Sequence, residues 1–435
     1  MSAKESQFEN KNKNRNLKSE WRKSVSENIK SLAARFNDIN SDKKRLELAR
    51  KILKQDPWFG DIVKRLKSEI EAKNEIGCEK VNDFDPFENR TLRKDGVALP
   101  TLAKNKHPKI SNGSVLIELS CSKTQGRYLE AKEQIKAGDV LILERPYAAV
   151  LVPDNKTTHC SHCFELLEED FKLCTVCNQV MYCSVNCQQD AWKSYHQHEC
   201  SLAPLLEMLE LSSHLALRLL LVTGPQKLLD FLQNEPKNTS DVLCSEKIPG
   251  CTSEGLYSGD YACVHSLVTN TELQPTADLV FFALDAALIT EIAFGHVYGE
   301  QSQTESANET TNGSNVAITE EIMGCVLLHH MQQMPCNIHA VTAIVSVNEQ
   351  AGVSSKEQRR IAAAIYPTAS LMNHACDPDV IVSFIGRTLV VRATHNIQPG
   401  EEIAHCYGPS ASRMSREVRQ SLLQKQYFFT CNCSA

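Results

Sequence analysis

Between Cys160 and Cys200 the chain reads CSHCFELLEEDFKLCTVCNQVMYCSVNCQQDAWKSYHQHEC. Seven cysteines and one histidine of this stretch form four closely spaced pairs: Cys160-x2-Cys163, Cys174-x2-Cys177, Cys183-x3-Cys187 and His196-x3-Cys200. A short loop between two such residues lets both bind one metal ion, and zinc takes four tetrahedral ligands. Eight ligands are enough for two closed zinc sites, and full ligation leaves no position for a catalytic water. Both sites are therefore predicted to be structural.

Spacing alone leaves open which pairs share an ion in this cysteine-rich finger, residues 160–200. His198 also lies close to Cys200, but the three-residue spacing of His196 favours His196 as the ligand. Trp192 is expected to pack inside the finger. The finger is rich in Glu and Gln and poor in Arg, so it lacks the cations that contact DNA phosphates. We therefore expect no direct DNA binding.

The composition of the whole chain is that of a globular protein with more than one domain. It has 435 residues, 42% hydrophobic and 23% charged, with a formal net charge of -6, which is too long for one compact domain. No apolar run approaches the roughly 20 residues that span a bilayer. The N-terminal stretch MSAKESQFENKNKNRNLK lacks the apolar core of a secretory signal. We expect no membrane partner and a location in the cytoplasm and nucleus, where clustered cysteines indicate metal ligands.

Helical and strand-like segments flank the finger. Apolar positions recur at three- and four-residue spacing through residues 1–75, which predicts helices. Within them LELARKILKQDPWF resembles part of a TPR unit, but without a second copy an ordinary helical extension is favoured. Strand patterns occur in SVLIELS, GRYLEAKEQI, GDVLILERPYAAVLV, AVTAIVSV, DVIVSFIG, RTLVVRAT and EEIAHCYG, and helical patterns at 201–235, 277–298, 318–334 and 413–424. The polar stretch 300–315 is predicted to be a flexible loop.

Three stretches outside the finger resemble the SET and MYND domain (SMYD) methyltransferase family. They are QGRYLEAKEQIKAGDVLILERPYAAVL, YPTASLMNHACDPDVIVSF, and IQPGEEIAHCYGPSASRM with the later QYFFTCNC. The resemblance covers about residues 112–435, and HCYGP, MPCN and the N-terminal extension favour the TPR-bearing branch. It implies an α+β fold, in which a split SET domain of short β-strands carries an inserted two-zinc MYND finger and a helical insert.

The resemblance also implies the order of domains along the chain. They are a helical N-terminal extension (1–110), the first part of SET (111–158), the MYND finger (159–200), a helical insert (201–335) containing the loop 300–315, the SET catalytic core (336–410) and a truncated post-SET segment (411–435). In MYND fingers the pairs interleave. The implied ligand sets are Cys160, Cys163, Cys183 and Cys187 for one zinc ion, and Cys174, Cys177, His196 and Cys200 for the other.

Several site residues follow from the resemblance, each at a position that matches a family motif. The implied catalytic residues are Tyr407 and Tyr427, which line the lysine channel. The implied contacts to the cofactor S-adenosylmethionine are Gln125, Gly126, Arg127, Asn337, Asn373, His374, Tyr407 and Phe429. Glycine permits a close backbone approach, and a cation suits the carboxylate of the methionine part of the cofactor.

A third zinc site is implied by Cys376 together with Cys431 and Cys433. The family pattern Cys-x-Cys-x2-Cys would place another cysteine just after Ala435, where this sequence ends. Three ligands are therefore present, and the expectation is a site that is incomplete or completed by water. The chain also departs from the family at Tyr128, Ala375 and Asp379, although Asn373, His374 and Tyr407 are retained.

Two functions are consistent with these residues. The first is a protein-lysine N-methyltransferase, whose substrate is a histone or non-histone protein with a target lysine. Methyl transfer to a neutral amine needs no covalent nucleophile, so the enzyme must mainly hold donor and acceptor aligned, roughly 3 Å apart. The second is a catalytically weak scaffold or transcriptional repressor whose MYND finger binds proline-rich peptides. The departures favour the second function, and the retained motif residues favour the first.

Overall fold

The computed structural model describes residues 3–36, 39–74, 98–234, 248–298, 317–350 and 353–435. The predicted loop 300–315 lies outside the described residues. The helices are α1 (Ala3–Phe36), α2 (Asp42–Gln55), α3 (Pro57–Asn74), α4 (Val185–Ala191), α5 (Gln197–Glu199), α6 (Ala203–Met208), α7 (Leu211–Thr223), α8 (Pro225–Asn234), α9 (Tyr261–His265), α10 (Thr276–Tyr298), α11 (Glu320–Asn337) and α12 (Arg416–Tyr427). In the part of the chain that is described, none of the helices has the length and apolar character needed to cross a bilayer.

The strands of the described residues form four small antiparallel sheets. The strands are β1 (Ile117–Ser122), β2 (Gly126–Ala131), β3 (Val140–Glu144), β4 (Ala148–Leu151), β5 (Lys172–Leu173), β6 (Met181–Tyr182), β7 (His339–Gln350), β8 (Val353–Ile365), β9 (Val380–Ile385) and β10 (Thr388–Ala393). Their order is β1-β2, β3-β10-β9, β4-β8-β7 and β5-β6. Strands from before and after the finger therefore pair with each other, so the finger and the helical segments are inserted into one split domain.

The helical part is one apolar core that joins the N-terminal helices to the helices after the finger. Helix α1 packs on α10 and α6, and α2 packs on α10 and α11. The contact of α2 with α11 is close at Gly324, where a Cβ atom would lie 2.5 Å from the Leu46 side chain. At α1, the Trp21 indole N–H donates to the buried carboxylate of Asp285 (3.2 Å), which also accepts from the Ser213 hydroxyl (2.6 Å). The N-terminal extension is therefore bound to the insert by packing and by a buried polar contact.

A buried ion pair connects the finger to the split domain. Arg218 on α7 donates through Nε to Glu199 at the end of the finger (2.6 Å) and through Nη1 to the Ala149 carbonyl on β4 (3.0 Å). Its guanidinium also lies over the Tyr195 ring, 3.5 Å from the centroid. Burial alone would raise the pKa of the Glu199 carboxyl, but Arg218 and His214 hold it below its usual range. The guanidinium of Arg218, a residue of the helical insert, is therefore hydrogen-bonded both to the finger and to the sheet that contains β4.

Two segments differ from the strand predictions. The predicted strand EEIAHCYG forms only isolated bridges, because its backbone alternates between partners: Ile403 N donates to Leu129 O and His405 N to Asn373 O. Conversely, β8 was not predicted. The first half of β8 consists mainly of charged and polar residues, which have a low preference for strands. The segment becomes a strand because it pairs with β7 and β4.

The predicted helix at 201–235 is three helices. The backbone of Leu209 and Glu210 is extended between α6 and α7. Gly224 has φ +73° and is followed by Pro225, so it ends α7 and allows α8 to begin with proline. The helix predicted near 413–424 runs instead from Arg416 to Tyr427, and its last residue is one of the two predicted catalytic tyrosines.

Replacing Arg218 with methionine should lower the free energy of unfolding by about 3–5 kcal/mol, because the Glu199 carboxylate would stay buried without its main partner. Urea unfolding followed by circular dichroism measures this. Lys23→Ala is the control, because the Lys23–Glu27 pair has side chains that are 73% and 63% exposed and should change stability by less than about 0.5 kcal/mol. Equal effects of the two variants would contradict the role of the buried pair.

Candidate active site and metal clusters

The finger brings its eight predicted ligands into two groups. Within each group the ligand atoms all lie within 4.8 Å of one another. One group is Cys160, Cys163, Cys183 and Cys187, and the other is Cys174, Cys177, His196 and Cys200. The first and third pairs therefore combine, as do the second and fourth. Four thiolates, or three thiolates with one imidazole, are donor sets that suit tetrahedral zinc.

Local structure positions these ligands. The short β5-β6 hairpin carries the second pair between its two strands, the third pair begins directly after β6, and Cys174 N donates to Val180 O within the hairpin. The Ser184 hydroxyl accepts from Cys187 N at the start of α4, which orients the Cys187 thiol. A π-helical turn from Trp192 to His196 follows α4. It brings His196 Nε2 to 3.6 Å from Cys177 Sγ, and His198 is not part of the group.

The two predicted catalytic tyrosines are in contact, although 20 residues separate them. Their ring centroids are 4.8 Å apart. The Tyr427 hydroxyl donates to the Tyr407 carbonyl (3.1 Å), and the Tyr407 hydroxyl donates to the Met372 carbonyl (2.9 Å). Burial raises the pKa of Tyr427 to about 12 and that of Tyr407 further above its usual value. Both phenols therefore stay protonated at neutral pH.

A cavity of about 450 Å³ opens on one side of Tyr407. Its walls come from β7, β8, β9 and the segment 405–408, together with Tyr427 from α12. Arg360 is the one Lys, Arg, Asp or Glu among the described residues that line it, and this residue is exposed. The lining is otherwise neutral, with apolar residues such as Val382 and Phe384. A mostly neutral lining of this kind suits a long apolar side chain that ends in one polar group.

Two histidines that line the cavity are held neutral. His339 and His405 stack with ring centroids 5.9 Å apart, and His405 lies 4.9 Å from the Tyr407 ring. Burial lowers the pKa of His339 to about 4 and that of His405 to about 3. The Asn337 carbonyl lies 3.2 Å from His339 Nδ1 and can only accept, so His339 Nδ1 carries the hydrogen. The sequence analysis did not identify either residue. Each lies two residues from a predicted site residue, His339 after Asn337 and His405 before Tyr407, and this proximity could have indicated them.

Three polar side chains meet beside the segment that carries Tyr407, where His405 N donates to Asn373 O. Asn373 Nδ2 donates to Glu402 Oε1 (2.8 Å) and lies 3.4 Å from Gln125 O, while Gln125 Nε2 donates to Glu402 Oε2 (2.8 Å). Asn373 and Gln125 were predicted, and Glu402 was missed. Glu402 lies in the quoted motif IQPGEEIAHCYG, five residues before Tyr407, and this position could have indicated it as a site residue. The group offers amide donors and one carboxylate, and the bond from His405 N to Asn373 O ties it to the segment that carries Tyr407.

The remaining predicted cofactor contacts are distributed around this group. Phe429 packs beside it, 6.1 Å from the His374 ring and 6.4 Å from the Tyr407 ring, centroid to centroid. Gly126 has φ +67°, and a Cβ atom there would meet nothing within 4 Å. Its glycine is therefore required by the backbone conformation, and the space beside it is open.

Arg127 and Asn337 are bonded to the helical insert. Arg127 donates to the Pro249 carbonyl (2.9 Å) and to the Ser266 hydroxyl and carbonyl (both 2.8 Å). Asn337 Nδ2 donates to the carbonyls of Val268 (2.9 Å) and Gln333 (2.7 Å). Both side chains therefore fasten the loop around residues 266–268, Arg127 from the end of β2 nearest Gln125 and Asn337 from the end of α11.

Glu144 holds the segment that leads into Asn373. Its buried carboxylate accepts from Thr368 N (2.8 Å) and Ala369 N (2.9 Å) and from the Asn112 amide (3.2 Å). Burial raises the pKa of Glu144 to about 7. These bonds tie β3 to the one-turn 3-10 helix Ala369–Leu371, which ends just before the Asn-His pair.

A histidine lies beside the cysteines of the predicted third metal cluster. His374 Nε2, Cys376 Sγ and Cys431 Sγ lie within 4.8 Å of one another. The Cys433 thiol lies beside them, 3.5 Å from Cys376 N, and Cys433 N is 3.5 Å from Cys431 Sγ. Thiolates at this spacing suit zinc. The cluster packs against α12 and against Tyr407, Tyr427 and Phe429.

Comparisons with known proteins identify the family of the chain. A family model described as SET domain matches residues 126–408. Protein-lysine N-methyltransferase SMYD4 is 31% identical over 376 residues in Mus musculus and 32% identical over 384 residues in Homo sapiens, with 76% of this chain and 47% of each relative covered. N-lysine methyltransferase SMYD2 of Homo sapiens is 27% identical over 322 residues, covering 73% of this chain and 59% of the relative.

The chain spans about half the length of the SMYD4 relatives it matches. Among solved structures, the SET domain of LSMT bound to lysine and AdoHcy aligns with 73% of this chain and 52% of its own, at 11% identity and a TM-score of 0.27. That score is too low to support a comparison of the two structures.

Replacing His196 with alanine should lower the zinc bound per chain by about one ion, because one of two four-ligand sites loses a ligand. Plasma mass spectrometry of the purified protein measures the metal content. His198→Ala is the matched control, because it removes a neighbouring imidazole that is outside the group. Loss of zinc from the His198 variant alone would contradict the assignment.

Proposed function

The chain belongs to the SET domain family, among the SMYD proteins, and on that premise we propose that it is an S-adenosylmethionine-dependent protein-lysine N-methyltransferase. One observation carries the proposal. Tyr407 contacts Tyr427, both line the neutral cavity, and the segment that carries Tyr407 is bonded through His405 N to the Asn373 carbonyl of the Gln125–Asn373–Glu402 group. A lysine side chain entering the cavity and a cofactor at the polar group would meet at the tyrosines.

The residues of the polar group have the chemistry that the cofactor requires. S-adenosylmethionine, when bound, supplies a methyl group on a positively charged sulfonium. The Glu402 carboxylate offers a counter-charge for an ammonium or sulfonium group, and Phe429 offers an aromatic face. Asn373 and Gln125 offer amide groups. We propose Gly126, Arg127, Asn337 and the main chain of His374 as further contacts, with Arg127 acting through the loop that it fastens.

The cavity favours the neutral form of a lysine amine. No carboxylate is among the described residues that line it, and the charged residue among them, Arg360, is itself a cation, so an ammonium ion loses its hydration without gaining a counter-ion. The Tyr407 hydroxyl already donates to Met372 O, which leaves its lone pairs to accept a hydrogen from the amine. Alignment by these groups is the main catalytic contribution, because reaction of a held pair avoids the entropic cost of a bimolecular encounter.

Asn373→Ala should abolish binding of S-adenosylmethionine measured by calorimetry on the metal-loaded chain. The reason is that Asn373 donates to Glu402 and lies against Gln125, so its loss disorganises the whole polar group. Asn234→Ala, on the exposed end of α8, is the control and should bind normally. If the wild-type chain itself took up no cofactor, the enzyme proposal would fail.

Tyr407→Phe should leave cofactor binding within about threefold but lower methyl transfer on the order of 10²-fold, because the amine loses the group that orients it. Transfer of labelled methyl groups to proteins of a lysate, followed by mass spectrometry, measures the rate and identifies the modified lysine. Tyr298→Phe, in the apolar core of the insert, is the matched control. Unchanged transfer by the Tyr407 variant would remove this tyrosine from its proposed role.

We propose a second role for the finger as a zinc-bound MYND module that binds proline-rich peptides. The support is local: Leu166, Phe171 and Val185 are large apolar side chains that the finger leaves exposed, and such residues favour partner contacts. A scaffold or repressor without turnover would keep this surface and lack transfer. A Leu166→Ser variant separates the two roles: it should bind proline-rich peptides more weakly and should retain methyl transfer.

We further propose that the chain acts in the cytoplasm and nucleus on protein substrates, without direct contact to DNA or membrane. The thiols of the metal groups must remain reduced to bind zinc, which supports a reducing compartment. The acidic net charge of -6 gives no general attraction to phosphate-rich partners.

A further inference from the structure

The imidazole of His374 lies between the backbone of Tyr407 and the thiol of Cys376. Tyr407 N donates to His374 Nδ1 at 3.0 Å. On the other side of the ring, His374 Nε2 lies 3.3 Å from Cys376 Sγ. Both ring nitrogens are thus occupied, and the ring is buried with 9% of its surface exposed. The side chain therefore connects the C-terminal cysteine cluster directly to the peptide bond of Tyr407.

The hydrogen bond from Tyr407 decides the tautomer of His374. A backbone N–H can only donate, so Nδ1 must present a lone pair and carries no hydrogen. The doubly protonated imidazolium is excluded for the same reason. The neutral ring must then carry its hydrogen on Nε2. That hydrogen faces Cys376 Sγ, which is an acceptor when it is a thiolate.

Distance alone would make His374 a metal ligand, since its Nε2 lies within 4.8 Å of two thiols. Ligation by a neutral imidazole needs the lone pair on Nε2, which places the hydrogen on Nδ1. Two hydrogens, from Nδ1 and from Tyr407 N, would then face each other across 3.0 Å. The observed contact therefore favours a donor to the cluster over a ligand of it.

We infer that His374 is a positioning residue: its Nε2–H donates to the Cys376 thiolate of the metal cluster, and its Nδ1 holds the backbone N–H of Tyr407. The cluster thereby determines where Tyr407 sits. Hydrogen bonds from second-layer groups to metal-bound ligands commonly orient such sites. The effect on catalysis rests on the proposed methyltransferase function, whereas the tautomer does not.

The other bonds of Tyr407 explain why this link matters. Its carbonyl accepts from the Tyr427 hydroxyl, and its own hydroxyl donates to Met372 O. The N–H bond to His374 is the third anchor of the residue. Without it the peptide plane can rotate about the two remaining bonds, which displaces the phenol from the cavity wall.

The tautomer is tested by nitrogen NMR of the full chain, labelled with 15N histidine and loaded with zinc. The His374 signals are assigned by their absence from His374→Gln. We expect a hydrogen on Nε2 and none on Nδ1. A hydrogen on Nδ1, or a metal-bonded Nε2, would overturn the inference whether or not the chain transfers methyl groups.

The positioning role is tested by kinetics of His374→Gln, Cys376→Ser and the double variant. Each single variant should lower kcat about 10- to 100-fold with cofactor Kd changed less than about threefold. The double variant should be no slower than the slower single one, because both act through the same bonds. Multiplied defects, or a loss confined to cofactor binding, would contradict the role.

His330→Gln provides the matched control for loss of a buried imidazole. His330 is fully buried in the insert and bonds to Tyr261 and Gln333, so its replacement should leave kcat unchanged. An equal loss of kcat in this variant would show that the His374 effect is general destabilisation. If the wild-type chain transfers no methyl group, the methyltransferase proposal fails and the NMR result alone decides the tautomer.

Discussion

The candidate active site depends on hydrogen bonds that join the segment 373–375 to the segment 405–407. His405 N donates to Asn373 O (2.9 Å), Ala375 N donates to His405 O (3.0 Å), and Tyr407 N donates to His374 Nδ1 (3.0 Å). Together they place the predicted cofactor residue and the predicted catalytic residue side by side. Because these bonds are partly buried, breaking any one leaves an unpaired polar group as well as a misplaced side chain.

The rest of the molecule supports that junction from three directions. Glu144 binds the backbone just before Asn373, and α12 brings Tyr427 against Tyr407. The insert reaches the site through its loop near residue 266, which Arg127 and Asn337 hold by bonds to backbone carbonyls. The site is therefore assembled from the two halves of the split domain, the insert and the C-terminal segment.

The finger is remote from the chemistry but continuous with the same framework. Its two ligand groups interleave, so no half of the finger can close a site alone. Arg218 then connects its last turn to β4, the strand that pairs with β8. The finger and the sheet are in this way joined by one buried guanidinium, whose removal would leave the Glu199 carboxylate buried without its main partner.

The sequence alone determined the features that depend on local spacing. Ligand pairs separated by two or three residues identified the metal groups, and short motifs located Asn373, Tyr407 and Tyr427. Only the tertiary structure showed that Glu402, His339 and His405 belong to the candidate site. Their place in it depends on partners elsewhere in the chain, such as Gln125, which bonds to Glu402 across 277 positions. The tertiary structure likewise decided β8, whose polar residues become a strand only when β7 and β4 supply the hydrogen bonds that its own pattern does not predict.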